Sequence, residues 1–437
     1  MNNLRLLAGL LCAASAILGA TVDAQKVVTL EEIFESAEAN SAQLRPLFSA
    51  QKEAEKEKSV AMSGRLPEIN ATLSASYIGN GFTTRRDFSD YQTAKIPHLG
   101  TGLSINISQP VYTGGAITSA IEMSELKNTA ARFATDLKRD NIRFELTGFY
   151  LDIYKCTNLR RVVESNISAA ERVVEDMRAR FEQGTALQND ITRYELLLEN
   201  LNLELVKLDN TLAILNNNLV TIAGLPDKTV VIPDSTILAR SLPCESETWW
   251  LEEAAASSPV IKLARNGVEI SHTAEKLTVA DRLPKIGLQA GWTIDGPILV
   301  EVPPINRNLS YWWVGVGVSY NLSSLFKTNK SIAKSREATR HAIDELGAAR
   351  EGVDMAVRAD HIKYLEAFEE LKTREKSVEL AERNYNITAT RYSADMALIT
   401  DMLDAANSRL DAEQQLVNAK INIIYYYYRL LFTAGKI

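Results

Sequence analysis

Few residues in this chain have any chemical prospect. Asp401 and Asp404 stand one helical turn apart, so both carboxylates share one helix face. Such a face attracts cations if more negative charge is brought beside it; on a polar helix it is otherwise simply solvated. Asp360-His361 is an adjacent pair in a helical stretch, where neighbours point in different directions, and His98, His272, His341 and His361 are scattered. There is no H-E-x-x-H, no phosphate loop and no nucleophile–base pattern. Gly114-Gly115 follows a strand and opens a helix, which suits a change of chain direction better than an anion site. Cys156 and Cys244 form no Cys-x-x-Cys, which argues against zinc or redox chemistry; an oxidising compartment would allow the two to pair, but their spacing does not decide whether they meet. The chain reads as no enzyme, with neither cofactor nor metal site.

The elements that carry these residues begin with a leader. MNNLRLLAGLLCAASAILGATVDAQ has one Arg, an apolar run from Leu6 to Ala20 and a small-residue site before Gln25, so residues 1–24 read as a secretory signal peptide. Nothing after residue 25 approaches twenty continuous apolar residues, so no membrane helix is expected. A net charge of −7 without a basic cluster argues against nucleic acid.

An internal duplication organises the rest. Leu66-Pro67 recurs as Leu283-Pro284, Ser104–Ser108 (SINIS) as Ser319–Ser323 (SYNLS), and Arg180-Phe181 with Asp190 as Arg391-Tyr392 with Asp401. The offsets are 217, 215 and 211 residues. The first repeat spans 25–224, a Pro-rich linker or side segment 225–245, and the second repeat 246–437.

Each repeat contributes two strands, expected at about 66–78 and 100–112, then 284–294 and 311–323. In YWWVGVGVSYNLSSLF (311–326), Trp312, Val314, Val316, Val318, Tyr320 and Leu322 alternate with Trp313, Gly315, Gly317, Ser319, Asn321 and Ser323. All four strands alternate this way, apolar against small or polar, which is the pattern of outer-membrane barrel strands. Four strands cannot close a barrel in lipid, so copies must pair through their edges. Two copies would leave a plugged interior; the small inward residues favour a wider lumen and three or more copies.

Very long helices are expected at 115–181 and 330–392, followed by 188–223 and 399–431. The first would reach roughly 100 Å at 1.5 Å per residue. Leu159, Val163, Ile167, Ala170, Val174, Met177 and Phe181 step by fours and threes, as in a coiled-coil seam.

The segments RLPEINATLSASY, LSINISQPVYTGG, RFEQGTALQNDI, NNLVTIAGLP, RLPKIGLQAGW and ITDMLDAANSRLDAEQQL resemble the TolC family of outer-membrane efflux proteins, from about Leu30 to Leu431. The resemblance implies a mainly α fold with membrane β. It implies a homotrimer with a twelve-stranded outer-membrane β-barrel continued by a periplasmic α-helical coiled-coil tunnel. It further implies export of small molecules or secreted substrates, with a periplasmic adaptor and an inner-membrane transporter as partners, and outer-membrane lipid around the barrel. A periplasmic or outer-membrane coiled-coil scaffold without conduction is the alternative.

The same resemblance assigns roles at the tunnel entrance. Asp401 and Asp404 match the acidic pair that rings it, Tyr392 the gate tyrosine, and Asp190 its acidic partner. The family's gate arginine falls on Ala397, and Asn189 sits where that arginine's partner would be, so a second latch must be weaker or built from other residues. The turns Gly184-Thr185-Ala186-Leu187 and Asp395-Met396-Ala397-Leu398 resemble adaptor-docking tips.

Overall fold

The structure, a computed structural model, describes residues 25–234, 236, 242–301, 304–394 and 396–437; the expected signal segment 1–24 lies outside the described residues. In chain order the first repeat holds β1 (Gln25–Val28), α1 (Leu30–Asn40), α2 (Arg45–Ser63), β2 (Glu68–Tyr77), β3 (Gly81–Thr83), β4 (Gln92–Ala94), β5 (Leu99–Tyr112), α3 (Ala116–Glu182) and α4 (Gln188–Ala223). After β6 (Val230–Pro233), the second holds α5 (Glu247–Ser257), α6 (Pro259–Ala280), β7 (Lys285–Gly296), β8 (Leu309–Ser319), α7 (Ser324–Ser393) and α8 (Ile399–Ala434). The chain divides into two compact units. A helical unit comprises Met1–Leu47, Thr135–Ile261 and Arg350–Ile437; a strand unit comprises Phe48–Ala134 and Lys262–Ala349.

In the strand unit, β2, β5, β7 and β8 form one antiparallel sheet in that order. Ile105 pairs with Ala71 on one side and Trp292 on the other, and Trp292 pairs with Trp312. Because side chains alternate, this register collects Ile69, Leu73, Leu103, Ile105, Leu288, Trp292, Trp312, Val314, Val316 and Val318 on a single face. The opposite face carries Asn70, Thr72, Ser74, Gly102, Ser104, Asn106, Gly287, Gly291, Gly315 and Gly317. Trp313 belongs to this second face and lies over Gly291, where a Cβ would collide with its indole. The apolar face is open: Leu73 is 80% exposed and Trp312 74%. β2 and β8 are the edges of this sheet.

Where β5 gives way to α3, Gly114 and Gly115 have φ of +65° and +88°. A Cβ on Gly114 would sit 2.7 Å from that of Leu283 and 2.8 Å from Ala280 O, so the bend needs both the left-handed backbone and the missing side chain. Alongside, α3 is tied to α6 by Asn266 Nδ2 donating to Leu126 O at 2.9 Å and by a Lys276–Glu122 ion pair at 2.8 Å.

The last strand differs from its expected span. SINIS lies inside β5, but β8 stops at the first residue of SYNLS, because Ser319 pairs with Lys285, where β7 begins. Asn321 then receives the Ser323 N–H on its side chain at 3.1 Å and the Ser324 hydroxyl on its carbonyl, so α7 starts at Ser324 rather than near 330.

In the helical unit, β1 and β6 form a two-stranded parallel sheet, so the segment 225–245 is not wholly irregular. Tyr150 of α3 fastens that sheet: its hydroxyl donates to Val28 O at 3.0 Å and accepts from Asp234 N–H at 2.7 Å. Further along, Val163, Ala170, Val174 and Met177 of α3 pack with Ile191, Tyr194 and Leu201 of α4 and with Ile399 and Met402 of α8. This is the middle of the seam read from the sequence: Leu159 and Phe181 at its two ends are not part of the cluster, and Phe181 is 44% exposed.

Candidate functional site: the tip of the helical unit

Both long helices end on the same hydrogen bonds. After α3, the Thr185 N–H donates to Arg180 O at 2.9 Å; after α7, the Met396 N–H donates to Arg391 O at 2.8 Å. Helices α4 and α8 also start alike, with Asp190 N–H on Leu187 O at 3.0 Å and Asp401 N–H on Leu398 O at 3.1 Å. Each residue and its counterpart are 211 positions apart, so the duplication extends to individual backbone bonds. Gly184 adopts φ +78°, and Leu187, Met396 and Leu398 project with 69%, 63% and 69% of their surface exposed. Thr185 is exposed and Ala186 and Ala397 half-buried, while Asp395 lies outside the described residues.

Asp401 and Asp404 are both exposed on the first turns of α8. Asp401 also acts locally. Its Oδ2 accepts the Leu398 N–H at 3.1 Å, satisfying a donor at the helix start and placing negative charge against the positive end of the dipole. Spacing alone did not reveal this, although an acid at the third helical position is its usual signal.

Tyr392 is half-buried against the core cluster, beside Tyr385, Ala389 and Leu403. Arg180, at the end of α3, places its guanidinium carbon 5.9 Å from the Tyr392 ring, donates from Nη2 to Ser393 O at 3.2 Å, and pairs through Nε with Asp176 at 2.9 Å. An arginine thus joins the ends of α3 and α7, on the helix opposite to Ala397. The repeated Arg-aromatic pair at 180–181 and 391–392 was the available signal. Asp190 lies in the first turn of α4, next to Ile191 of the same core. Tyr194, one turn further, is 1% exposed, and burial, reinforced by Tyr385, holds its phenol well above the ordinary range.

A groove of about 750 Å³ runs between α3 and α4 near this end, lined by Glu171, Glu175, Glu195, Glu199, Arg178 and Leu196, among others. Arg178 pairs with Glu195 at 2.6 Å, leaving the groove acidic with an exposed leucine. Cys156 is buried and Cys244 exposed, and both are free thiols. Among the described residues no group of His, Cys, Asp and Glu is placed to hold a metal ion, and no helix is long and apolar enough to cross a membrane.

Comparison with known proteins gives a consistent picture. The chain is 23% identical over 411 residues to outer membrane protein TolC of Vibrio cholerae, covering 94% of this chain and 91% of that protein. It is 24% identical over 442 residues to outer membrane efflux protein BepC of Brucella suis, covering 98% and 90%. The crystal structure of the outer membrane protein VceC from Vibrio cholerae superposes with a TM-score of 0.78 at 16% identity, covering 93% of this chain and 96% of that one. The family model for outer membrane efflux proteins matches residues 33–225 and 250–435, one match per repeat. With a duplicated architecture, a four-stranded sheet apolar on one face, and tips that share matching backbone hydrogen bonds in both halves, this chain belongs to the outer membrane efflux protein family.

Proposed function

We propose that this protein is an outer-membrane export duct, its barrel in the outer membrane and its helices in the periplasm. The observation that carries the reading is the sheet register, which gathers the alternating aliphatic positions, with Trp292 and Trp312, onto one exposed face and the Gly, Ser and Asn positions onto the other. In lipid the first face meets hydrocarbon and the second lines water. The unpaired edges β2 and β8 join neighbouring copies, and three copies close a twelve-stranded barrel. In the helical unit, Asp401 and Asp404 of each copy ring the periplasmic entrance and favour cations there. Tyr392 and Asp190 latch it through a hydrogen bond in the closed state. The apolar tips at Leu187, Met396 and Leu398, beside the acidic groove, suit docking of a periplasmic adaptor that leads to an inner-membrane transporter. The export function needs no catalysis by the duct itself.

Single-channel recording in planar bilayers tests the reading. Small cation-selective currents that multivalent cations block, with the block lost in Asp401→Ala/Asp404→Ala, are the expected result. Well-inserted oligomers that stay silent, even when Tyr392→Phe removes the latch, would leave a scaffold without conduction.

A further inference from the structure

One polar cluster interrupts the apolar seam of the helical unit. It sits about 12 Å along α8 from Asp401, at about 1.5 Å per residue. The Arg409 guanidinium of α8 lies 4.0 Å over the Tyr385 ring of α7 and donates from Nη2 to Asn166 Oδ1 of α3 at 2.7 Å. Asn166 Nδ2 donates in turn to Glu413 Oε2 at 2.8 Å, and Glu413 Oε1 lies 3.6 Å from Arg409 Nε. Asn166 is 7% exposed, although it stands between Val163 and Ala170 in the seam. A cavity of about 20 Å³ at this point is lined from all four helices, including Tyr194 of α4.

Buried polar groups are costly unless their partners are in place, so such a cluster fixes one register of the helices. Its wiring also allows release. Asn166 Nδ2 has a second acceptor on its own helix, Val162 O at 2.9 Å. Arg409 and Glu413 are four residues apart on α8 and pair with each other. If α7 and α8 move together away from α3, the two hydrogen bonds of this cluster break, as does that of Arg180 to Ser393 O, yet Arg409 keeps its carboxylate and its aromatic platform. No charge is stranded at the cluster, and the further cost of release is the apolar contact that α3 makes with Ile399 and Met402.

We propose that Arg409, Asn166 and Glu413, with Tyr385 as the platform for the arginine, form the second latch of the closed duct, filling the role that the resemblance would give to an arginine at position 397. The proposal rests on the reading of the chain as a gated duct. The latch holds the α7–α8 pair to α3 and sits inside the coiled coil rather than at its tip.

The test compares single-channel open probability in wild type, Asn166→Ala, Arg409→Met, the double variant, Arg409→Lys and Tyr392→Phe, each checked for intact oligomer. Arg409→Met is expected to raise open probability roughly fivefold, the weight of one net hydrogen bond, and Asn166→Ala, which removes both inter-helix bonds, by more than that. The double variant should do little more than Asn166→Ala, because Asn166 takes part in both links. Arg409→Lys, which keeps the charge without the planar fork, should fall between. Wild-type open probability in these variants, while Tyr392→Phe opens, would reduce the cluster to packing and leave the duct reading intact. Silence in every protein, Tyr392→Phe included, would remove duct and latch together. If Arg409→Met does not assemble, Asn166→Ala decides, since it deletes no charge.

Discussion

Asp401 receives the backbone N–H of Leu398 at 3.1 Å, whereas Asp404, one turn on along the same face, makes no such closing bond to the helix start. The two acids of the proposed entrance pair are therefore not equivalent. Asp401→Ala should lower stability by about 0.5–1 kcal/mol through loss of the helix-start interaction, and Asp404→Ala should leave the melting curve near wild type. Both should weaken cation block to a similar extent. Parallel thermal melts and block titrations separate the two roles, and equal melts would remove the capping role from Asp401.

Tyr150 holds the parallel sheet to α3 through a single hydroxyl that both donates and accepts. Tyr150→Phe leaves the Val28 carbonyl and the Asp234 N–H without that partner, at a cost of about 1–3 kcal/mol. Burial pushes the phenol up to about 12 from its ordinary 10.0. The folded state thus keeps a proton that the unfolded chain releases, so the contribution is complete below about pH 10 and fades as pH rises through 12. Denaturant unfolding at pH 8 and pH 11 should show the gap between wild type and Tyr150→Phe narrowing at the higher pH.

Neighbouring positions on β8 should respond oppositely to charge. Val314→Arg puts a cation on the apolar face, at about 2–4 kcal/mol near the membrane midplane, and should reduce membrane-inserted oligomer sharply. Gly315→Arg faces the other way, into space where a Cβ meets nothing within 4 Å. It should assemble and shift ion selectivity towards anions. Similar yields from the two would mean that the faces have been assigned the wrong way round.

Two glycines of the first repeat make a paired test of backbone strain. Gly114→Ala demands φ +65° of a residue whose Cβ would lie 2.7 Å from Leu283 Cβ, so loss of about 2 kcal/mol or more is expected. Gly148→Ala, inside α3 with open space around it, should stabilise by about 0.5–1 kcal/mol. Oligomer melting in detergent reads both.

The elements and their duplication are legible along the chain, because period-two and seam patterns are local and unbroken helical stretches are visible as the absence of Pro and the scarcity of Gly. Helix α4 occupies Gln188–Ala223, as spacing indicates, and the tips fall where the Gly184 turn and its counterpart place them. Alternation also separates the two faces of each strand. That all four strands share one register emerges only in three dimensions, since Ile105 opposite Trp292 and Trp292 opposite Trp312 are pairings between residues distant along the chain. The short strands β1 and β6 escaped notice because four residues carry too little period to read, and they exist through each other and Tyr150. Arg409 left a faint trace: it follows Met402 by seven residues and so stands on the buried stripe of α8, where a charge is out of place. What satisfies that charge lies on α3 and α7, at Asn166 and Tyr385, and spacing along one helix says nothing about which neighbour faces it.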